Sequence, residues 1–126
     1  MSQFLKGDID ILLATEAAGM GCDIPDVAKV VQFKAPNSLS TWLQRAGRAG
    51  RSASIQARAV LLIQPSVFQE VGRSARKDGE AIVYKKTIEP GLRTWVEVPI
   101  EDCRRDVADE YFDNPPARKR MCCIVL

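Results

Sequence analysis

Histidine is absent from the 126 residues. No imidazole can serve as a general base, and the four cysteines have no histidine to complete a metal site. No apolar run approaches the roughly 18 residues that a membrane-spanning helix needs. The N-terminal stretch MSQFLKGDIDILLATEAAG holds one lysine and lacks the layout of a cleavable signal, so no secretion signal is expected. An excess of one charge is missing too. The 18 Lys and Arg against 16 Asp and Glu leave +2, too little to demand a nucleic-acid partner on bulk electrostatics. There is no internal repeat and no low-complexity segment.

What is present describes a globular chain. Apolar residues make up 46% and charged residues 27%, enough for one modest domain with one core. Without a secretion signal, Cys22, Cys103, Cys122 and Cys123 are expected in a reducing compartment, as thiols or metal ligands. The basic residues are not spread evenly. They gather at 45–58, 73–77, 85–86, 104–105 and 118–120, where a solvated face is the ordinary explanation.

Along the chain, Asp10 to Thr15 (DILLAT) is a short apolar run bounded by polar and small residues, the pattern of a strand buried on both faces. The loop EAAGMGCDIPDV follows, punctuated by Gly19, Gly21 and Pro25. Lys29 to Phe33 (KVVQF) reads as a second buried strand. A helix is then expected, capped by Asn37 or Ser38, with Leu39, Trp42 and Leu43 at helical spacing and glycines ending it. Ala57 to Ile63 (ARAVLLI) is a third apolar run, and a helix is expected from Ser66 to about Arg76. This order predicts an α/β fold with a mainly parallel sheet.

After Gly79 the pattern changes. Residues 81–98 alternate weakly, and Pro90-Gly91 suggests a hairpin turn. Glu101 to Phe112 predicts a helix with Cys103, Val107 and Tyr111 on one face, stopped by Asn114-Pro115-Pro116. Three strands make a thin sheet, and the chain opens almost directly on a core strand. It reads as a piece of something larger.

The stretch TWLQRAGRAGR, residues 41–51, carries the chemistry. Guanidinium groups stay charged and fork two hydrogen bonds onto phosphate oxygens. Arg48 and Arg51, three apart at a helix end with Gly47 and Gly50 around them, can address one triphosphate. There they can stabilise charge developing on a transferring phosphoryl group. The plain alternative is a solvated basic helix end.

Together, ATEAAGMGCDIPDV and QRAGRAGR resemble motifs V and VI of superfamily 2 helicases. The run from FLKGDIDILLAT to QRAGRAGR is similar to the second half of the second RecA-like domain of a RecQ-type DNA helicase. CRRDVADEYF resembles the start of that family's zinc-binding subdomain. The resemblance covers roughly residues 4–70 and, more loosely, 103–123. It implies a partial RecA-like α/β domain over 1–76, a connecting segment over 77–100 and a helical, cysteine-bearing tail over 101–126. It also implies Arg51 as an arginine finger, with Arg48 beside it on the ATP phosphates. Gln44, Gly19 and Asp23 would couple nucleotide to the strand-moving machinery, and Thr15 would touch the DNA backbone, positioning the strand without reading its sequence. The residues have plainer readings as well: Asp23 as a turn acid and Thr15 as an ordinary strand-end hydroxyl.

The departures from that family matter. Such a motor cleaves ATP, with Mg2+, in a cleft between two RecA-like domains. The GxxxxGK[ST] loop and the acidic magnesium-binding motif of the first are not found in this sequence. The chain alone is therefore not expected to hydrolyse ATP. It would act with the missing first domain or with a partner ATPase, and the resemblance implies a nuclear location. The resemblance implies Cys103 as a first Zn2+ ligand and Cys122 or Cys123 as a second, an incomplete set. The ending Cys123-Ile124-Val125-Leu126 after a basic ARKR fits a prenylation signal and resembles the tail of a Ras-like small GTPase. It offers a membrane-associated alternative.

Overall fold

The computed structural model describes residues 2–15, 24, 27–52, 55–72 and 76–115. A single helical turn, α1 (Ser2–Leu5), opens the chain. β1 (Lys29–Phe33) and β2 (Arg58–Leu62) pair in parallel, with Val31 beside Val60 and Phe33 beside Leu62. Both segments are rich in branched aliphatic residues, which suit a pleated surface. Parallel neighbours cannot be joined by a hairpin, and helix α2 (Leu39–Ala46) makes the crossover. The fold is α/β, with the parallel sheet that the apolar runs predict.

α2 forms where its punctuation places it. Ser38 is extended, and its Oγ accepts from the Thr41 amide at 3.1 Å. At the other end the Gly47 amide donates to Leu43 O at 2.9 Å. Ser38→Ala removes the cap and is expected to cost about 1 kcal/mol, read from denaturant unfolding of the whole chain.

The core lies between α2, one sheet face and helix α3 (Pro90–Glu97). Leu39, Trp42 and Leu92 are fully or almost fully buried, with Ala59 and Leu61 of β2 and Ile88, Trp95 and Val96 around them. The Trp42 and Trp95 rings meet edge to face, 5.9 Å apart. Such pairs add about 0.5–1.5 kcal/mol beyond the area they bury. Helix α4 (Arg104–Tyr111) packs on α3, and the Tyr111 ring lies against Gly91, where a side chain would collide with it.

Five expectations are corrected. Asp10 to Thr15 forms no strand, and Ile11 and Leu13 are 75% and 92% exposed. An apolar run becomes a doubly buried strand only between two covering layers. Among the described residues the sheet has two strands and α2 on one face. For the same reason β1 is a strand but not a buried one: Phe33 is 72% exposed.

Of the helix expected over 66–76, the described residues form only a single 3₁₀ turn, Pro65–Val67. Val71 N donates to Val83 O and Lys85 N to Gln69 O, both at 2.7 Å, so these residues pair as an antiparallel bridge. Gly72, at φ +69°, ends the segment. Pro90-Gly91 makes no hairpin but starts α3, because proline fits the first helical turn and Glu89 accepts the Leu92 amide at 2.7 Å. The last helix starts later than expected: Cys103 precedes α4 as its N-cap residue, without a side-chain capping bond.

Candidate functional site

The arginine segment begins on α2 and leaves it at Gly47. Arg45 Nη1 donates to Gln32 Oε1 of β1 at 2.6 Å, tying the last turn of the helix to the sheet. The chain then closes a tight turn, with Arg48 N on Arg45 O at 3.1 Å and Ala49 N on Ala46 O at 3.0 Å. Gly50 carries the turn back to the sheet. Its amide donates to Val27 O at 3.0 Å, just before β1, and an added Cβ would come within 2.7 Å of Ala57 Cβ, just before β2. Its φ of +69° lies in the region that favours glycine. Arg48 and Arg51 therefore flank a turn anchored at the starting ends of both strands. Arg48 is half-buried and Arg51 exposed.

The remaining predicted residues are placed unevenly. Gln44 is exposed on α2, one residue before the arginine that binds Gln32. Thr15 is exposed and in coil, so it is no strand-end hydroxyl. Gly19, Asp23, Cys122 and Cys123 lie outside the described residues.

The zinc expectation gains nothing here. Among the described residues no three His, Cys, Asp or Glu side chains converge as a metal-binding group. Cys103 is a half-buried free thiol. Neither Zn2+ nor Mg2+ finds a donor set in this part of the molecule, so no step is routed through either. No helix among the described residues is long and apolar enough to cross a membrane.

Sequence reasoning missed Glu89. Its Oε2 accepts from Leu92 N at 2.7 Å and from Leu39 N at 3.2 Å, so one carboxylate serves the first turns of α3 and α2. Burial pushes its pKa up, but the Leu92, Leu39 and Gly91 amides and the Tyr111 hydroxyl outweigh burial, and the net shift is downward. Tyr111 moves the other way, by desolvation first and then by the charge of Glu89. The available signal was Glu-Pro before an apolar residue, which suits a helix start as well as a turn.

With this geometry in place, the similarity to known proteins has a structural context. Residues 1–53 match the family described as helicase conserved C-terminal domain, a stretch that runs from α1 through α2 and the arginine turn. The chain is 34% identical over 92 residues to the ATP-dependent RNA helicase RhlB of Shewanella denitrificans, covering 66% of this chain and 21% of that protein. It is 42% identical over 127 aligned positions to the ATP-dependent helicase wrn-1 of Caenorhabditis elegans, covering 97% of this chain and 12% of the relative. Similarity to the mitochondrial DEAD-box ATP-dependent RNA helicase 9 of Arabidopsis thaliana is 32% over 98 residues, covering 68% of this chain and 16% of that one. The chain thus spans about a fifth or less of these relatives. No solved structure matches it.

Proposed function

We propose that this chain supplies the arginine-bearing half of the ATP site of a RecQ-type DNA helicase. The P-loop and the magnesium-binding acids come from a first RecA-like domain. In that reading ATP held by the first domain draws the two RecA-like domains together. Arg51 acts as the arginine finger, Arg48 binds beside it, and Gln44 with the Gly19–Asp23 loop passes the closure to DNA held partly through Thr15. DNA binding is led by the phosphate backbone and so weakens with salt. Acting in this way, the protein would work in the nucleus.

The observation that carries the reading is the anchored turn. Guanidinium groups stabilise phosphoryl charge best when they are held in place before the reaction. Bonds from Arg45 to Gln32 and from Gly50 to Val27 fix both ends of the segment that presents Arg48 and Arg51. The choice of RecQ type rests on the resemblance of CRRDVADEYF, and the chain is similar along nearly its whole length to the ATP-dependent helicase wrn-1.

A second reading keeps the site and changes the nucleic acid. RhlB and the Arabidopsis relative are RNA helicases by name, which favours RNA as the strand. Fluorescence anisotropy of the whole chain on deoxy- and ribo-oligonucleotides of one sequence separates the two readings.

The test of the site is complementation. The 126-residue chain, mixed with the P-loop-bearing first domain of a RecQ-type helicase, is expected to raise that domain's ATPase rate. Arg51→Ala is expected to lower the stimulated kcat roughly 10³-fold or return it to the unstimulated rate. Equal stimulation by wild type and Arg51→Ala, or an arginine-dependent ATPase in the isolated chain, would overturn the assignment.

A further inference from the structure

The Glu89 carboxylate lies outside the arginine segment, yet it holds the helix on which that segment is built. Ser38 already satisfies the Thr41 amide of α2 from within the local sequence. The Leu39 amide, first in the helix, is answered from 50 residues away by Glu89 Oε2 at 3.2 Å. The same oxygen takes the Leu92 amide of α3 at 2.7 Å. Tyr111, at the end of α4, donates its hydroxyl to the same carboxylate and lays its ring on Gly91. Three helices therefore meet on one acid.

We propose that Glu89 is a positioning residue for the arginine turn: by tying the first turn of α2 to α3, it sets where Arg48 and Arg51 sit. The role in catalysis rests on the function proposed above, whereas the tie between the helices does not. α2 is eight residues long, about 12 Å at 1.5 Å per residue. A tilt of about 5° at its start moves its far end by about 1 Å, and a misplacement of about 1 Å at an active site can cost about 10²-fold in rate. The segment 84–97 then helps to set where the arginines sit. It is itself braced, because Arg93 stacks 3.6 Å over the Tyr84 ring, binds Glu97 at 2.6 Å and reaches Lys86 O at 3.2 Å.

Tyr111 faces Glu89 from α4, Lys86 lines the same open cavity, and α2 brings no acid in its first turn. Protonating Glu89 removes its charge-assisted bonds to both helices together.

The experiment is a pH titration of amide NMR signals in the full chain. In wild type the Leu39 and Leu92 amide shifts are expected to follow one common midpoint below 4.5, the ordinary value for the acid. Glu89→Gln is expected to flatten both curves and to speed exchange of both amides about tenfold. Titration of Leu92 without Leu39 would mean that Glu89 caps only its own helix, which overturns the proposal without needing any variant. In the complementation assay, Glu89→Gln is expected to lower the stimulated kcat at least tenfold with little change in KM, in a chain that remains folded. An unchanged kcat, where Arg51→Ala lowers it, overturns the positioning role alone. A silent Arg51→Ala overturns the proposed function and the positioning role with it, while the shared titration still decides the tie.

Discussion

Trp42→Ala is expected to abolish cooperative unfolding of the chain or to lower its stability by about 3–5 kcal/mol, the usual cost of emptying a large aromatic site. Small domains hold only about 5–15 kcal/mol in total, so the loss is decisive. Few of the described apolar side chains are fully covered. Leu39, Trp42 and Leu92 form the cluster that joins α2 to α3, and Trp42 also makes the edge-to-face contact with Trp95. Trp42→Phe provides the contrast. The indole Nε1 is buried without a hydrogen-bond partner among the described residues, so its removal forfeits no bond. An aromatic of similar shape is expected to cost less than about 1.5 kcal/mol. Denaturant melts followed by circular dichroism measure both. A loss below about 1 kcal/mol for Trp42→Ala would show that α2 and α3 do not share a core.

That shared core is also where sequence reading stopped working. β1, α2 and β2 were legible because their signals are local. Two apolar runs flank a serine cap, Leu39 and Trp42 sit three apart, and Gly47 ends the helix. Helix α3 was not legible, because Pro90-Gly91 serves a hairpin and a helix start equally well. What decides is non-local: Leu92 entering the Leu39–Trp42 cluster and the Tyr111 ring closing on Gly91. The helix expected after Ser66 failed likewise, since residues 69–71 pair with 83–85 and the local periodicity is overridden.

The site divides the same way. Arg48 and Arg51 are suggested by spacing and by the resemblance to motif VI together, because charge and glycine punctuation are written within eleven residues. Glu89 is invisible at that range. A lone acid before a proline becomes a joint between helices only once the chain has brought Leu39 and Leu92 to it. The residues that would bear charge are thus readable locally, and the residue that would aim them is not.

Gly50→Ala is expected to have the second large effect, falling on the arginine turn itself. Two costs add at this position. A φ of +69° strains any residue with a Cβ, by about 1–2 kcal/mol. The new methyl would also lie 2.7 Å from Ala57 Cβ, in backbone leading directly into β2. Relieving the clash requires the turn or the Ala57 backbone to shift, which strains the Gly50 N–H to Val27 O hydrogen bond that holds the segment carrying Arg48 and Arg51. Two other glycines separate these costs. Gly72 has the same φ of +69° with nothing among the described residues within 4 Å of an added Cβ, so Gly72→Ala measures chiefly the strain. Gly47 has φ −66°, and its Cβ would approach Leu43 O at 3.2 Å, a tight contact without left-handed strain. The expected order of destabilisation is Gly50→Ala, then Gly72→Ala, then Gly47→Ala, with Gly50→Ala costing about 2–4 kcal/mol. In the complementation assay Gly50→Ala should behave like Arg51→Ala even below its melting temperature, while Gly72→Ala retains stimulation. If Gly50→Ala is no more costly than Gly72→Ala and still stimulates, the turn is not held against Ala57, and the arginines are presented by a looser segment.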